Sequence, residues 1–288
     1  MSLEKAIALH NRKKSYAYKM GNPRLVEDYY NMSKLFQQKA WNTYPGAKAI
    51  LEAHVRLLSK LTDDEKDLYL DLTERFTWIR DYTTEIIEQL NRILNQFNAY
   101  STYYVMRCMP IKDQKWSKSS GVVLYEIKNP EVRQQLVKPI RILDRIEDIA
   151  KEKNINKGLF ILVDDFVGTA DTAEKCIDDI LKKHPELLGK IVVMSVAALE
   201  QGKQKLSSMN VCLFASYILK KGISDFYTGM KLLRNKQLMQ QIEAHLRVSK
   251  DFNFGYGGSE ALICMKRCPN NTFPIYWHDT RYSPYPRY

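Results

Sequence analysis

The stretch that most constrains the fold runs from Gly158 to Ala173 and has the sequence GLFILVDDFVGTADTA. Its apolar run, Leu159 to Val163, is too short for a buried helix and is rich in β-forming residues. These two properties predict a central strand that is buried on both faces. Two adjacent carboxylates, Asp164 and Asp165, follow the run. The chain is therefore expected to build a sheet whose central strand carries two negative charges to its carboxyl end.

A loop of small residues follows the acidic pair, and Asp171-Thr172 then opens a segment of helical period. Because Asp and Thr side-chain oxygens accept hydrogen bonds from the free N–H groups of a helix start, we expect the Asp171 carboxylate to cap this helix. The loop N–H groups and the helix dipole favour a phosphate, while Asp164 and Asp165 face sugar hydroxyls or a divalent ion. This arrangement predicts a site for a phosphorylated sugar. The alternative is a buried strand that ends in two solvated aspartates.

This stretch resembles the PRPP (phosphoribosyl pyrophosphate) motif of type I phosphoribosyltransferases. In that motif a hydrophobic strand, two acidic residues and two apolar residues precede a small-Thr-Gly-Gly-Thr loop. Here the loop is Gly168-Thr169-Ala170-Asp171-Thr172, so both threonines are in register. Ala170 and Asp171 stand where the motif prefers glycine, and the Asp171 charge is unfavourable beside a 5′-phosphate unless it serves as the helix cap.

The resemblance implies a role for each part of the motif. Thr169 and Thr172 help to hold the 5′-phosphate. Asp164 and Asp165 hold the ribose hydroxyls, bind a magnesium ion (Mg2+) and stabilise positive charge at the glycosidic carbon. No residue is an obvious nucleophile or general base.

A second glycine-rich loop lies near the carboxyl terminus. Residues 254–259, FGYGGS, precede an apolar run and then a Pro-Asn-Asn-Thr segment that ends in Trp277. This pairing is similar to the PRTase-CE family, a phosphoribosyltransferase-like group of bacterial conflict and anti-phage gene clusters. The resemblance covers roughly Tyr100 to Trp277 and implies that Gly255, Gly257 and Gly258 belong to the active site. Their alternative role is a tight bend before the last strand.

A third loop could supply a second phosphate site. Lys118-Ser119-Ser120-Gly121 offers a cation, hydroxyls and free backbone groups, which suit a phosphate or pyrophosphate. We expect this loop to lead into a strand at Val122–Ile127. The same composition is also that of an ordinary turn.

The periodicity changes near residue 100. Residues 1–98 are predicted to be helical, with a capping box at Thr62 and Glu65. Beyond them strands and helices alternate, including a predicted helix from residue 130 or 133 to Lys153. This alternation predicts an α/β fold with a mostly parallel sheet and helices on both faces, of the type I phosphoribosyltransferase kind. The expected domains are a helical region at 1–98, a phosphoribosyltransferase-like domain at 99–277 and a basic, aromatic tail at 278–288.

The net charge of +11 favours polyanionic partners. One basic group lies near the amino terminus, a second lies between residues 231 and 250, and the tail interleaves tyrosine with Arg281 and Arg287. This tail composition is able to stack on bases, and we lean toward nucleic-acid contact. The alternatives are a solvated basic surface and a tail packed near Trp277. Without an apolar run of bilayer length or a secretion signal, a cytoplasmic protein without membrane contact is expected.

These features lead to one expected function and one alternative. The first is an effector of a bacterial defence system that binds PRPP, a nucleotide or a nucleic-acid end with Mg2+ and acts at its glycosidic carbon. The alternative is a non-catalytic module that senses a nucleotide or binds nucleic acid or protein. Its partners would include the reverse transcriptase and DNA of a retron-like system, and a homo-oligomer is left open.

Overall fold

The computed structural model describes residues 23–113, 120–279 and 283–287. Two residues of the third loop, Lys118 and Ser119, lie outside this range. So do the amino-terminal basic group and part of the tail, namely Lys5, Arg12, Lys13, Lys14, Lys19, Arg281, Tyr282 and Tyr288.

The chain divides into two compact units, each described by itself. The sheet unit runs from Asp81 to Lys221, and the terminal unit combines residues up to Arg80 with residues from Gly222 onward. The expected domain boundaries at residues 98 and 277 do not coincide with this division and stay a prediction.

The sheet unit contains a parallel five-stranded sheet in the order β3-β2-β4-β5-β6. Its strands are β2 (Thr102–Arg107), β3 (Arg141–Leu143), β4 (Gly158–Val167), β5 (Ile191–Leu199) and β6 (Cys212–Leu219). The acidic strand β4 is central, and every residue of its apolar run is fully buried. A parallel sheet with a buried middle strand confirms the predicted α/β class.

Helices cover both faces of this sheet. They are α4 (Thr83–Gln96), α5 (Ser120–Lys128), α6 (Pro130–Gln134), α7 (Asp171–Lys183) and α8 (Glu200–Ser208). On one face, α7 buries Cys176, Ile177 and Ile180 in a core shared with Phe160 and Leu162 of β4. On the other, α4 packs against β5 and β6 while α5 packs against β2 and β4. The helices on both faces are therefore as predicted.

Two predicted elements of this unit are wrong. Residues 122–127 belong to α5 and not to a strand. Valine and leucine favoured a strand locally, but Val123, Leu124 and Ile127 are buried at helical spacing, so packing overrides propensity. The expected helix at 130–153 is instead the short α6, the edge strand β3 and a 3₁₀ segment, Ile146–Lys151.

The terminal unit contains most of the helical region predicted for the amino-terminal part. Its elements are α1 (Pro23–Gln38), α2 (Ala47–Leu58), α3 (Asp63–Glu74), β1 (Thr77–Trp78), α9 (Gly229–His245) and β7 (Ile263–Cys264). The predicted capping box starts α3, because the Thr62 N–H donates to the Glu65 carboxylate at 2.8 Å. β1 pairs in parallel with β7, which joins the two chain segments of this unit. No helix among the described residues combines the length and apolarity needed to cross a bilayer.

The described part of the tail packs into the aromatic core of the terminal unit. Tyr285 is 5% exposed and stacks on Phe76 with ring centroids 5.2 Å apart. Its N–H donates to the Tyr276 carbonyl at 2.8 Å, and Arg287 lies over the Trp277 ring. These residues of the tail are therefore packed, as in the alternative interpretation, and contact with nucleic acid stays a prediction.

Replacing Tyr285 with Ala should therefore lower the free energy of unfolding by about 3–5 kcal/mol, since a large buried ring is lost. Arg287→Ala, the comparison variant, should lose about 1 kcal/mol, because it removes a cation–π contact with Trp277 and no buried ring. Chemical denaturation of the two variants measures both values. Equal small losses would contradict the packed tail.

Two buried glutamates hold loops of the terminal unit. Glu260 is 2% exposed and accepts the N–H groups of Ile223 and Ser224 at 2.8 and 2.7 Å. Glu243 is 1% exposed and accepts the Phe254 N–H at 2.9 Å. Burial raises the pKa of Glu243 to about 7, against the lowering effect of the Phe254 hydrogen bond and with a smaller contribution from Glu260.

This shift makes stability depend on pH with a defined sign. The unfolded chain ionises Glu243 near 4.5 and the folded chain only near 7, so the folded state loses stability as pH rises through that window. The full loss is about 3 kcal/mol. Glu243→Gln keeps an oxygen for the Phe254 N–H and should flatten the decline in the free energy of unfolding between about pH 5 and pH 8. Glu74→Gln, at an exposed position of α3, should leave the decline in place.

Candidate functional site

The acidic pair lies inside β4, three residues before its carboxyl end. Asp165 is only 4% exposed, and Asp164 is partly buried. One oxygen of each carboxylate accepts the N–H of the next residue, at 2.9 Å from Asp165 to Asp164 and 3.0 Å from Phe166 to Asp165. Two charges in the middle of a buried sheet thus take local donors from the strand itself.

The sheet is irregular at this point. In β4, Phe160 and Leu162 belong to the core under α7, but after the acidic pair it is Val167 that does so. In β5 the same core contains Val193 and then Ala198, so both strands shift the alternation of their side chains by one residue. Such local departures re-aim side chains and are frequent beside active sites.

The loop after β4 adopts the geometry that the motif glycine normally provides. Ala170 has φ 65° and ψ 9°, in the left-handed region, and is the N-cap residue of α7. Its carbonyl accepts the Glu174 N–H at 2.9 Å, which is the first turn of the helix. No side chain caps this start. The N–H groups of the first turn of α7 therefore keep no partner within the helix.

The predicted capping role of Asp171 is wrong. Asp171 is the first helical residue, and its carboxylate accepts a hydrogen bond from Lys205 of α8 at 2.7 Å. Lys205 also lies 2.6 Å from Glu174. Burial opposes ionisation of Asp171, but the hydrogen bonds from Lys205 and Thr169 outweigh it and lower the pKa of this carboxyl. The charge that seemed unfavourable beside a phosphate is therefore balanced by a lysine 34 residues further along the chain.

Helix α8 approaches the loop closely because it carries a glycine there. A Cβ on Gly202 would lie 2.4 Å from the Gly168 carbonyl oxygen and 3.1 Å from the Val167 side chain. Gly202 and Lys205 are three residues apart and share a helix face. One glycine therefore lets α8 reach the loop, and the next turn places its cation on Asp171.

The two described residues of the third loop, Ser120 and Gly121, lie at the start of α5. Ser120 is the first residue of α5, is 2% exposed, and its hydroxyl has no hydrogen-bond partner among the described residues. Arg107 ends β2, which pairs with β4, and its guanidinium lies 3.9 Å from the place of a Cβ on Gly121. Arg107 has no ion pair within the described part of the chain. The Arg107 guanidinium and the Ser120 hydroxyl thus both lie near the start of α5, on the carboxyl side of the sheet, and are available to a ligand.

A buried tyrosine borders the acidic pair. Tyr82, which precedes α4, is 1% exposed. Burial raises its pKa, and the charges of Asp165, Glu126 and Asp164 raise it further. Glu126 of α5 thus adds to the negative charge around the pair, and the Tyr82 hydroxyl stays protonated there.

The predicted glycine loop, with Gly255, Gly257 and Gly258, lies in the terminal unit and has positive φ at all three positions. A Cβ on Gly255 would lie 2.0 Å from the Asn271 carbonyl oxygen. The Ser259 hydroxyl donates to the same oxygen at 2.9 Å. The close approach at Gly255 is therefore to the Pro-Asn-Asn-Thr segment of the chain itself, and a ligand role for the three glycines stays a prediction.

Four residues of this region were missed from the sequence: Tyr82, Arg107, Gly202 and Lys205. Tyr82 lies within the region predicted to be helical, but it directly precedes α4, and no local pattern connects it to the acidic pair. Arg107, directly after a predicted strand, carried a usable signal, since ligands bind at the carboxyl ends of parallel strands. Gly202 and Lys205 offered none, because their role depends on how α8 packs.

The residues present fit a magnesium ion. Mg2+ in phosphate-binding sites usually takes one or two protein carboxylates and completes its shell with substrate phosphates and water. Asp164 and Asp165 are such a pair. Among the described residues no group of three or more His, Cys, Asp or Glu side chains could hold a metal.

Comparison with known proteins follows the motif. The PRTase-CE family model matches residues 56–287, and the chain belongs to this family. The match reaches back into α2, well before the point near Tyr100 where the resemblance in the sequence begins. A crystal structure of a hypothetical protein from Neisseria gonorrhoeae with bound ppGpp is 13% identical, covers 58% of this chain and 97% of its own, and has a TM-score of 0.32. No curated protein matches the chain.

The loop geometry predicts an unusual response to glycine. Left-handed backbone is unfavourable by about 1–2 kcal/mol for a residue with a Cβ, and glycine removes this strain while adding freedom to the unfolded chain. Ala170→Gly should therefore raise the free energy of unfolding by up to about 1 kcal/mol. Ala173→Gly, three residues on in α7, should lower it by about 1 kcal/mol. Chemical denaturation measures both, and a loss at both positions would refute the strained loop.

Proposed function

We propose that this protein binds a phosphorylated ribose compound, either PRPP, a nucleotide or a nucleic-acid end, at the carboxyl side of the sheet and acts at its glycosidic carbon. We further propose that it does so as an effector of a bacterial anti-phage defence system, as its family suggests. The observation that carries the proposal is the loop from Gly168 to Ala170, which leads from a buried acidic strand into an uncapped helix start through a left-handed residue.

The 5′-phosphate would lie at this loop. The first-turn N–H groups of α7 point their positive dipole ends out of the helix, where they favour an anion. Thr169 and Thr172 supply hydroxyls at the same place. Asp171 does not prevent this, since its ion pair with Lys205 at 2.7 Å reduces its repulsion of a phosphate.

A second anionic group would lie at the start of α5. Arg107 and the Ser120 hydroxyl lack partners within the described residues. A pyrophosphate group offers oxygen acceptors for both, and the dipole of α5 adds to the attraction. Arg107 ends the strand next to β4, which supports one ligand that reaches the starts of both α5 and α7.

The acidic pair would bind the ribose. Asp164 and Asp165 accept hydrogen bonds from ribose hydroxyls and stabilise the positive charge that develops at the glycosidic carbon as its bond to the leaving group breaks. They would also hold Mg2+, which when bound neutralises phosphate charge on the leaving group. The neutral Tyr82 hydroxyl and Glu126 complete the polar wall around the pair.

One observation favours a second function, a non-catalytic sensing module that also binds nucleic acid or partner proteins. Lys205, the cation nearest the loop, is engaged by Asp171 and Glu174 of its own chain, at 2.7 and 2.6 Å. A ligand phosphate can then use only the backbone and hydroxyls of the loop. This arrangement is compatible with binding that is not followed by chemistry. In a retron-like system the partners would be a reverse transcriptase and its DNA, and self-association is a further option.

The test replaces Asp164 and Asp165 together with Asn. The double variant should lose about tenfold or more in affinity for PRPP in the presence of Mg2+, because it removes both charges while keeping side-chain volume. Isothermal titration calorimetry measures the affinity, and phage plating on bacteria that express each protein measures defence. Asp178→Asn, at an exposed position of α7, is the control for charge and should bind and protect as the wild type does.

Three outcomes separate the functions. Displacement of pyrophosphate from PRPP by water or an added base, with wild type and not with the double variant, supports catalysis at the glycosidic carbon. Binding that depends on Asp164 and Asp165 without release supports the sensing module. Unchanged PRPP affinity in a folded double variant would exclude this site for either function, and equal protection by both proteins would separate the site from defence.

A further inference from the structure

A groove with charged side chains in its lining lies in the terminal unit, between α3 and α9, and has a volume of about 550 Å³. Helix α3 lines it with three aspartates at helical spacing, Asp64, Asp67 and Asp71. Helix α9 lines it with Lys231, Arg234 and Asn235. All six belong to the terminal unit, whereas the acidic pair of β4 belongs to the sheet unit.

Contacts across the groove secure the two outer aspartates. Arg234 lies 2.7 Å from Asp64, and Asp71 accepts hydrogen bonds from the Tyr227 hydroxyl and from Arg75. Arg75 in turn donates to the Tyr227 oxygen at 3.2 Å. These contacts fix α3 against α9 on both sides of Asp67.

Asp67 and Lys231, which lie between these contacts, are available to bind a ligand. Asp67 is exposed and has neither a hydrogen bond nor an ion pair among the described residues. The Lys231 ammonium lies 4.8 Å from the centre of the Tyr227 ring and has no carboxylate partner within the described chain. A carboxylate and an ammonium therefore line one groove without neutralising each other.

A buried amide is the observation that points to a ligand. Asn235 is 8% exposed, lines the groove and has no hydrogen-bond partner among the described residues. Because Asn235 lines the groove and bonds to no other described residue, its amide is available to a ligand there. A ligand in the groove is able to accept from and donate to this side chain.

The groove has the chemistry of a nucleotide site. Its volume lies within the range of about 300–1,000 Å³ that small-molecule sites occupy. Asp67 only accepts hydrogen bonds, so it suits a base edge with two adjacent N–H donors, while Asn235 is able to donate to a neighbouring carbonyl. Guanine has this edge, whereas adenine presents an acceptor beside its amine. Lys231 suits a phosphate, and Leu68 and Leu238 offer apolar flanks for the base.

We propose that this groove binds a guanine mononucleotide, with the base edge on Asp67 and Asn235 and the phosphate on Lys231. The site is independent of the function proposed for the sheet unit. A free amino acid would also match the opposite charges, but it would leave most of the groove empty.

Titration calorimetry with GMP and AMP tests the proposal on the full chain. GMP should bind the wild type about tenfold or more tightly than AMP. Asp67→Asn should weaken GMP binding by about tenfold or more, because its amide turns a donor toward the donors of the base. Glu74→Gln, an exposed change elsewhere on α3, and Asp165→Asn, in the sheet unit, should leave this binding unchanged.

A second variant keeps the test decisive if Asp67→Asn unfolds. Asn235→Leu has a similar volume and removes the amide, so it should melt near the wild-type temperature and lose GMP binding. Absence of GMP binding to wild type, or equal affinity for AMP, would overturn the proposal. So would GMP binding that Asp165→Asn abolishes while Asp67→Asn and Asn235→Leu retain it.

Discussion

The two carboxylates inside β4 are the constraint around which the sheet unit is arranged. Asp165 is 4% exposed in the central strand of a five-stranded sheet, where an uncompensated charge is strongly unfavourable. The chain compensates in part by donating the next N–H to each carboxylate and by shifting the side-chain alternation of β4 and β5. An apolar side chain at Asp165 would need neither adjustment. That the chain keeps a charge at this position supports a functional role more than a structural one.

The loop beyond the acidic pair contains a left-handed backbone conformation, although it lacks the two glycines that the PRPP motif prefers. Ala170 holds a left-handed backbone conformation that favours glycine, and Asp171 replaces a neutral residue at a helix start. Each change has a compensation elsewhere in the same unit. The packing around Ala170, which is 4% exposed, holds the strained backbone, and Lys205 reaches Asp171 from α8. Gly202 makes the second compensation possible, because only a residue without a Cβ allows α8 so close to Gly168.

The sequence predicts a structural feature when the residues that cause it are close together in the chain. The strand β4, the start of α7 and the capping box at Thr62 follow from residues within a few positions of one another, and the structure has all three. The strand expected at 122–127 was wrong because burial against β2 and β4, and not intrinsic preference, decides its conformation. The partner of Asp171 was out of reach, since no local pattern connects it to Lys205.

The boundaries of the two compact units also depend on long-range packing, so they are not predicted from the sequence. Residues up to Arg80 form a compact unit with residues from Gly222 onward. The two segments are joined by the β1–β7 pair and by an aromatic core in which Phe76 meets Tyr276 and Tyr285. No run of proline, glycine or serine marks these boundaries, so the composition of the chain does not reveal them.

The net charge of +11 invites a general polyanion-binding interpretation, but the described basic residues are not equivalent. In the group between residues 231 and 250, Arg234 pairs with Asp64 and Lys236 lies 3.6 Å from the buried Glu260. The exposed pair of Arg234 and Asp64 contributes little stability, yet both pairs lower the charge that a polyanion would meet. Arg107 differs because it has no internal counter-ion among the described residues and ends a strand beside the acidic pair. Affinity for phosphate should therefore depend on a few placed cations at the carboxyl side of the sheet more than on the overall excess of lysine and arginine.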